Sequence, residues 1–280
     1  MSLSPVLTRP IRLGAVQYLN TRPLIWGLQQ GRDPRFELLF DLPSRCAEML
    51  RTGACDLAMI PSIEFARGSG WDPVPGVCIA SDGPARSVML FSRVEPERLT
   101  SVALDPASRT SVALLTILLR ERWHAEPALS EDGGPLEEVL GRHDAALVIG
   151  DRALFAAPPS GTIVVDLGAE WAALTGLPFV FAFWAGRTRS TVAPAAPILQ
   201  RSARAGARHL DDIAASWTWE GRPRPDIALP YLRDAMRYRW DQRARDGLLR
   251  FYLLAARHRL IDEVPDPAAA LEPALDEVAG

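Results

Sequence analysis

Residues 12–28 read RLGAVQYLNTRPLIWGL and join a short apolar strand to an apolar helix. The strand is predicted over residues 11–16, and the helix is predicted to begin at Pro23, because proline favours the first turn of a helix. Asn20 lies between the two elements, beyond the carboxyl end of the strand. Ligands of open α/β sheets bind beyond the carboxyl ends of the strands. The stretch therefore predicts an α/β fold and makes Asn20 a candidate binding residue.

The same pattern of strand and helix repeats over the first two thirds of the chain. Short β-rich runs predict strands over residues 11–16, 36–41, 57–60, 77–80, 87–92, 101–104, 145–149, 163–165 and 179–184. Helical patterns lie at residues 23–30, 45–52, 63–67, 110–123, 151–155 and 169–175. Such alternation indicates an α/β fold with mostly parallel sheets. From about residue 191 to residue 258 the pattern is helical.

Two interruptions of the apolar pattern divide the chain into lobes. Charged residues and a proline break it in SRVEPERLTS, residues 92–101, and a proline-rich stretch, AGRTRSTVAPAAP, occupies residues 185–197. We expect an outer lobe of residues 1–95 and 189–280 and an inserted middle lobe of residues 96–188. Ligand sites are common at the interface between two domains, so a ligand cleft between the lobes is expected.

The composition excludes several classes of protein. All 31 basic residues are arginines, because the sequence contains no lysine. Schiff-base enzymes, pyridoxal-phosphate enzymes and Walker-type phosphate loops need a lysine amine. A net charge of −3 over 280 residues gives no general attraction to nucleic acid. The cysteines, Cys46, Cys55 and Cys78, lack metal-ligand spacing and suit buried thiols in a reduced compartment.

The sequence also predicts a cytoplasmic protein. MSLSPVLTRPIRLG, at the start of the chain, lacks the basic and continuous apolar segments of a secretory signal. No apolar run approaches the length that spans a bilayer. We therefore expect no membrane partner.

Hydroxyl and amide side chains follow several predicted strands, where formal charges are few. The candidates for binding or catalysis at these positions are Asn20, Ser44, Ser62, Ser108, Thr110, Ser111 and Asp151. The segment SRTS, residues 108–111, combines three hydroxyls and an arginine with a helix N-terminus, a combination suited to binding a carboxylate or phosphate. An asparagine side chain can donate and accept hydrogen bonds but is no base at neutral pH.

Structural explanations exist for some of these residues. Serine and aspartate before a helix are common N-caps, a role open to Ser44, Ser62 and Asp151. A strand-end asparagine such as Asn20 can bond the backbone of a turn. The four histidines lie away from the strand ends, and no cluster has the spacing of metal ligands. The residues alone thus predict a two-lobed α/β protein that binds a small carboxylated ligand without a metal or cofactor.

Six motifs in order resemble the chorismate dehydratase family of the futalosine route to menaquinone, also called the menaquinone biosynthetic enzyme A family. They are YLNTRPL, DLPSRCAEMLRTGACDLAMIPSIEF, DGPARSVMLFS, SRTSVALL, ALVIGD and TGLPFVFAFWAGR. The resemblance runs from about Ile11 to Arg259. It implies a two-lobed fold like that of type 2 periplasmic binding proteins and a cofactor-independent carbon–oxygen lyase. The implied reaction converts chorismate to 3-[(1-carboxyvinyl)oxy]benzoate and water.

The resemblance also implies roles for individual residues. Asn20 would hydrogen-bond the departing hydroxyl, and Ser87 in GPARSVML matches a serine that the family places in the cleft. The hydroxyls of SRTS would bind a substrate carboxylate from the middle lobe. No protein base is evident, so the enolpyruvyl carboxylate of the substrate is expected to remove the ring proton. Asp151 is the alternative base.

Two other functions stay open on the sequence. One is a non-catalytic cytoplasmic protein that binds small carboxylates. The other is the sister enzyme of the same pathway that forms a naphthoate, for which a histidine base in the cleft would be expected. A homodimer through the C-terminal helical region is also possible on the sequence alone.

Overall fold

The computed structural model describes residues 9–68 and 70–266. Residues 1–8, 69 and 267–280, which were assigned to the outer lobe, lie outside the described residues. Most of the segment at the start of the chain that was compared with a secretory signal lies outside them as well. The strands are β1 (Ile11–Val16), β2 (Phe36–Asp41), β3 (Leu57–Pro61), β4 (Asp72–Ser81), β5 (Val88–Ser92), β6 (Ser101–Leu104), β7 (Ala128–Glu131), β8 (Ala145–Ile149), β9 (Ile163–Asp166), β10 (Phe179–Gly186), β11 (Thr218–Trp219), β12 (Arg222–Pro223) and β13 (Met236–Arg239).

Helices connect most of these strands. They are α1 (Arg22–Gly31), α2 (Pro43–Thr52), α3 (Ser62–Ala66), α4 (Thr110–Glu121), α5 (Leu136–Arg142), α6 (Asp151–Leu154), α7 (Leu167–Thr175), α8 (Arg189–Ala207), α9 (Leu210–Ser216), α10 (Pro225–Pro230) and α11 (Gln242–Arg257). In the described part of the chain, no helix has both the length and the apolar character needed to span a membrane.

Two sheets form the centres of two lobes. The first has six strands in the order β13-β4-β10-β3-β1-β2, and the second has five in the order β7-β6-β8-β5-β9. Strand β3 is buried along its whole length, because LAMIP is apolar on both faces and helices cover the sheet. The strand β1 and the helix α1 predicted from residues 12–28 are both present, with a short 3₁₀ turn at Leu19–Thr21 between them.

The expectation of mostly parallel sheets is wrong, because both sheets are mixed. Strand β1 runs parallel to β2 and β3, and β6 runs parallel to β7 and β8. Strand β10 runs antiparallel to β3 and β4, and β5 runs antiparallel to β8 and β9. Both reversed strands adjoin the segments where the chain passes from one sheet to the other. The crossings therefore introduce four of the antiparallel pairs in these two sheets, and β13, which runs antiparallel to β4, adds a fifth.

The chain changes sheets at other positions than the predicted lobe boundaries. Strand β5 belongs to the five-stranded sheet although the sequence assigned it to the outer lobe of residues 1–95. Strand β10 belongs to the six-stranded sheet although it was assigned to the middle lobe of residues 96–188. The crossings lie at residues 82–87 and 176–178, before each reversed strand. The charged stretch used for the prediction connects β5 to β6, and the proline-rich stretch leads from the end of β10 into α8, so both lie within a lobe after the crossings.

Candidate functional site

A cavity of about 70 Å³ lies where the two sheets face each other. Its wall contains Asn20 from the connection between β1 and α1, Ser87 from the first crossing, and Ser108, Thr110 and Ser111 from the start of α4. Apolar side chains from both lobes complete the wall. The fold therefore brings together five of the residues that the sequence singled out.

Asn20 lies in the 3₁₀ turn between β1 and α1. Its side chain is partly buried on the cavity wall, and the Thr21 hydroxyl donates a long hydrogen bond of 3.5 Å to its Oδ1. The turn is fixed on both sides, because β1 is paired with β2 and β3 inside its sheet and α1 begins with Arg22-Pro23. The amide is thus held on a rigid connection with hydrogen-bonding capacity directed to the cavity.

Ser87 is held by its backbone and by its side chain. Its carbonyl accepts a hydrogen bond from the Gly150 N–H at 2.8 Å, and its Oγ lies 2.9 Å from the Tyr231 hydroxyl. The preceding residues are tied down as well, because the Asp166 carboxylate accepts hydrogen bonds from the N–H groups of Ala85 and Arg86 at 2.9 and 2.7 Å. The serine therefore has one defined position at the point where the chain crosses between the lobes.

Helix α4 directs its N-terminus to the cavity. Ser108, Thr110 and Ser111 are each less than a tenth exposed. The N–H groups in the first turn of a helix have no acceptor within it, and the helix dipole favours negative charge at this end. Thr110 also spans the lobes, since its Oγ1 accepts a hydrogen bond from the Ile63 N–H at 3.3 Å. Three hydroxyls, free backbone donors and Arg109 make this part of the wall suited to a carboxylate.

Arg109 adds a positive charge to the wall and connects the two lobes. Its Nη1 lies 2.7 Å from Oε2 of Glu64, whose side chain is almost fully buried. Arg51 and Arg67, from the same lobe as Glu64, bind the same carboxylate at 2.8 and 2.6 Å. The guanidinium of Arg109 is therefore held beside the cavity by a carboxylate that belongs to the other lobe.

Ser62 and Ser44 do not contribute to the cavity wall. Ser62 is buried, and its hydroxyl donates a 2.8 Å hydrogen bond to the carbonyl of Val180. Ser44 lies in an open groove that adjoins the cavity and shares Tyr18, Ser108 and Arg109 with its wall. The expected N-cap roles are wrong for both, because α2 begins at Pro43 with Leu42 as N-cap and α3 begins at Ser62 itself.

Asp151 is buried behind the wall and connects the lobes. Its two oxygens lie 3.1 and 3.3 Å from the N–H of Leu19, which donates to the carboxylate. Burial raises the pKa of Asp151 to about 6, while the Leu19 hydrogen bond and the charge of Arg22 oppose the shift. The N-cap of α6 is Gly150, so the cap role expected for Asp151 is wrong. The carboxylate faces the turn that carries Asn20.

Tyr231 is a residue of the site that the sequence did not reveal. It opens a π-helical turn, Tyr231–Ala235, after α10 and is 1% exposed. Its hydroxyl lies 2.9 Å from the Oγ of Ser87. Burial raises the pKa of the phenol, and the nearby side chain of Asn20 opposes this rise. The sequence carried no signal for it, because a tyrosine in an apolar helical region is typical of core packing.

No histidine belongs to the cavity wall as the described residues form it. His143 contacts Asp132 at 3.1 Å and His258 contacts Glu121 at 2.7 Å, both away from the cavity. Within residues 9–68 and 70–266, no group of three or more histidine, cysteine, aspartate or glutamate side chains could hold a metal ion. The polar chemistry of the wall is therefore that of hydroxyls, one amide and one guanidinium.

A family model described as menaquinone biosynthesis matches residues 11–257. The chain belongs to the menaquinone biosynthesis family. A chorismate dehydratase of Thermus thermophilus is 33% identical over 262 residues, which cover 87% of this chain and 94% of the relative. A chorismate dehydratase of Campylobacter jejuni is 30% identical over 174 residues, or 60% of this chain and 64% of that protein. The resemblance inferred from the six motifs is thereby confirmed.

Solved structures confirm the predicted fold. The alkanesulfonate-binding protein SsuA of Xanthomonas axonopodis pv. citri, bound to MOPS, superimposes with a TM-score of 0.67 at 16% identity, covering 96% of this chain and all of that one. The periplasmic aliphatic sulphonate binding protein SsuA of Escherichia coli gives a TM-score of 0.61 at 16% identity over 95% and 98% of the chains. The menaquinone biosynthesis family member described here therefore has a fold like that of periplasmic binding proteins.

Proposed function

We propose that this chain is a chorismate dehydratase, which converts chorismate to 3-[(1-carboxyvinyl)oxy]benzoate and water. The observation that carries the proposal is the cavity between the lobes, where Asn20, Ser87 and the hydroxyls of α4 meet. The relatives named as chorismate dehydratases support the same substrate. The product ring is aromatic, so the elimination is thermodynamically favourable, and cofactor independence is part of the proposal.

The wall suits the charges of chorismate, which has two carboxylates and a ring hydroxyl. We assign one carboxylate to the N-terminus of α4, where Ser108, Thr110 and Ser111 add hydroxyl donors to the free backbone N–H groups. Arg109 balances the negative charge from the same side. The ring hydroxyl then faces Asn20 and Ser87, which lie on the opposite lobe and at the crossing.

The reaction requires removal of a ring proton and departure of the neighbouring hydroxyl. We propose that the enolpyruvyl carboxylate of the substrate takes the proton, because the described residues put no carboxylate or imidazole on the wall. The C–H electrons then form the new ring double bond as the C–O bond breaks. Asn20 and Ser87 would donate hydrogen bonds to the oxygen that leaves, which takes up the abstracted proton from the enolpyruvyl carboxylic acid to become water and so restores the carboxylate. Asp151, the alternative base, is occupied by the Leu19 N–H.

The first experiment compares two amide substitutions with chorismate as substrate. Purified protein is incubated with chorismate in the absence of metal and nucleotide, and loss of one water is followed by mass spectrometry. We expect Asn20→Ala to lower kcat by about 10²- to 10³-fold, the effect of removing one preorganised donor. Gln17→Ala is the matched control, since Gln17 is an exposed amide in the same connection.

Other results would point to the two other functions. Binding of chorismate without turnover would contradict the proposal and favour a non-catalytic carboxylate-binding protein. The naphthoate-forming sister reaction is disfavoured, because its expected histidine base has no counterpart on the cavity wall. A cytoplasmic location, a homodimer and the binding roles of Ser44 and Ser62 stay predictions.

A further inference from the structure

Tyr231 lies directly behind the two residues that face the ring hydroxyl in the proposed reaction. Its phenol oxygen is 2.9 Å from the Oγ of Ser87, and the nearby side chain of Asn20 opposes the rise that burial causes in the pKa of the phenol. The side chain is 1% exposed and does not form part of the cavity wall. A single hydroxyl therefore bonds to Ser87, from the crossing between the lobes, and lies close to Asn20, from the β1–α1 connection.

The numbers of donors and acceptors on Asn20, Tyr231 and Ser87 indicate which group donates to which. The Thr21 hydroxyl donates to Oδ1 of Asn20, which leaves the NH₂ group to face Tyr231 and the cavity. A tyrosine hydroxyl has one proton and two lone pairs. If its oxygen accepts from the Asn20 amide, its own proton goes to the Oγ of Ser87. The Ser87 proton, which makes a long 3.4 Å hydrogen bond to the Ala85 carbonyl, can then turn to a ligand, and an Asn20 N–H is available to the same ligand.

We propose that Tyr231 is a positioning residue that orients Asn20 and Ser87 as hydrogen-bond donors to the departing hydroxyl. The inference deepens the proposed dehydratase function and rests on it for the identity of the ligand. Burial raises the pKa of Tyr231 well above its ordinary value, so the phenol keeps its proton throughout the neutral range. The π-helical turn fits such a role, since π-turns are frequent at functional sites.

The kinetic test removes one hydroxyl and keeps the ring. We expect Tyr231→Phe to lower kcat by about 10- to 100-fold with KM changed less than about twofold, because the donors are needed mainly in the transition state. The matched control is Tyr238→Phe. The Tyr238 hydroxyl is also buried and has no hydrogen-bond partner among the described residues, so we expect no change in kcat.

A double-mutant cycle separates positioning from a general structural effect. If Tyr231 acts through Asn20 and Ser87, Tyr231→Phe has no further effect on kcat in a chain that already carries Asn20→Ala and Ser87→Ala. An equal loss in both backgrounds would overturn the proposal. Equal kinetics of Tyr231→Phe and the wild type would overturn it as well.

A second measurement does not depend on turnover. Asn20 is the only asparagine in the sequence, so ¹⁵N-asparagine labelling gives one side-chain NH₂ group in the NMR spectrum. We expect Tyr231→Phe to shift these two proton resonances and to speed their exchange with water, and Tyr238→Phe to leave both unchanged. Unchanged NH₂ signals in Tyr231→Phe would overturn the positioning role. Failure of the wild type to dehydrate chorismate, with these shifts present, would overturn only the proposed function.

Discussion

At the scale of single residues, Asn20 is notable because it is the one asparagine of the chain and lies on the cavity wall. The sequence has no lysine and this one asparagine. The one asparagine lies on the cavity wall, where a neutral side chain that donates and accepts hydrogen bonds is less costly to desolvate than a charged one.

Asp151 makes a prediction about stability and pH. Its pKa rises from the ordinary 3.8 to about 6 in the folded protein. The folded chain therefore binds more protons than the unfolded chain between these values, and the free energy of unfolding falls as the pH rises through this window. The full shift corresponds to about 3 kcal/mol. We expect Asp151→Asn to remove this fall, so that urea titrations above pH 6 give a higher free energy of unfolding than the wild type.

The same variant separates a structural role from a catalytic one. An asparagine at position 151 can still accept the hydrogen bond from Leu19, so we expect kcat to fall less than about tenfold, whereas loss of a general base costs about 10²- to 10⁴-fold. A loss in the larger range would make Asp151 the proton acceptor and would contradict the substrate-assisted reaction.

The sequence predicted the site residues that lie close to strand ends. It missed those whose roles depend on a partner far away in the chain. Asn20 and the hydroxyls of α4 could be found because each follows or precedes a strand or helix with a clear pattern, whereas Ser87 was found through the family resemblance. Tyr231 could not be found, because its partner Ser87 is 144 residues away in the chain. The roles of Arg109 and Asp151 also depend on which lobe each faces, and no local pattern gives that information.

At the scale of elements, the turn between β8 and α6 determines how closely the lobes approach. Gly150 has a φ of 65°, and a Cβ at this position would lie 2.6 Å from ring atoms of Tyr18, which belongs to the other lobe. The ring thus packs against bare backbone. Only glycine combines the positive φ with space for an aromatic ring at this distance.

We expect Gly150→Ala to lower kcat/KM for chorismate by about 10²-fold, since a displacement of about 1 Å can have this effect. The added methyl group would push Tyr18 away and separate Asn20 from the α4 hydroxyls. Gly176→Ala is the matched control, because Gly176 has a φ of 69° and open space around it. Both variants incur backbone strain of about 1–2 kcal/mol, measured as a lower free energy of unfolding. Equal kcat/KM values in the two variants would exclude the steric effect.

At the scale of the whole molecule, two lobes were expected and two sheets are present, but the crossings could not be read from composition. Strands β5 and β10 are apolar, as are their neighbours, so nothing in their sequence distinguishes one sheet from the other. Four of the contacts between the lobes lie beside the cavity, whereas others, such as His258 with Glu121, lie away from it. The four are Leu19 with Asp151, Ile63 with Thr110, Glu64 with Arg109, and Tyr18 with Gly150. Each partner that comes from the five-stranded lobe, except Asp151, also forms part of the cavity wall.

Because residues that connect the lobes also form the cavity wall, we expect ligand binding and lobe closure to be coupled through Arg109. A ligand carboxylate at the start of α4 would approach the guanidinium that Glu64 already holds, so the ligand and the salt bridge favour the same closed arrangement. Removing the arginine is expected to weaken closure and binding together. We expect Arg109→Ala to raise the dissociation constant for chorismate at least about tenfold, which corresponds to about 1.4 kcal/mol, and to raise the radius of gyration in solution scattering.

Arg51→Ala provides the matched control for this last prediction. Arg51 binds the same Glu64 oxygen at 2.8 Å, against 2.7 Å for Arg109, but it comes from the same lobe as Glu64. Both arginines are partly exposed, so the two variants should lose similar and small amounts of unfolding free energy, about 1 kcal/mol or less. Only the variant that removes the bridge between the lobes should change chorismate affinity and scattering. If Arg51→Ala weakens chorismate binding as much as Arg109→Ala does, the affinity depends on the charge of Glu64 and not on lobe closure.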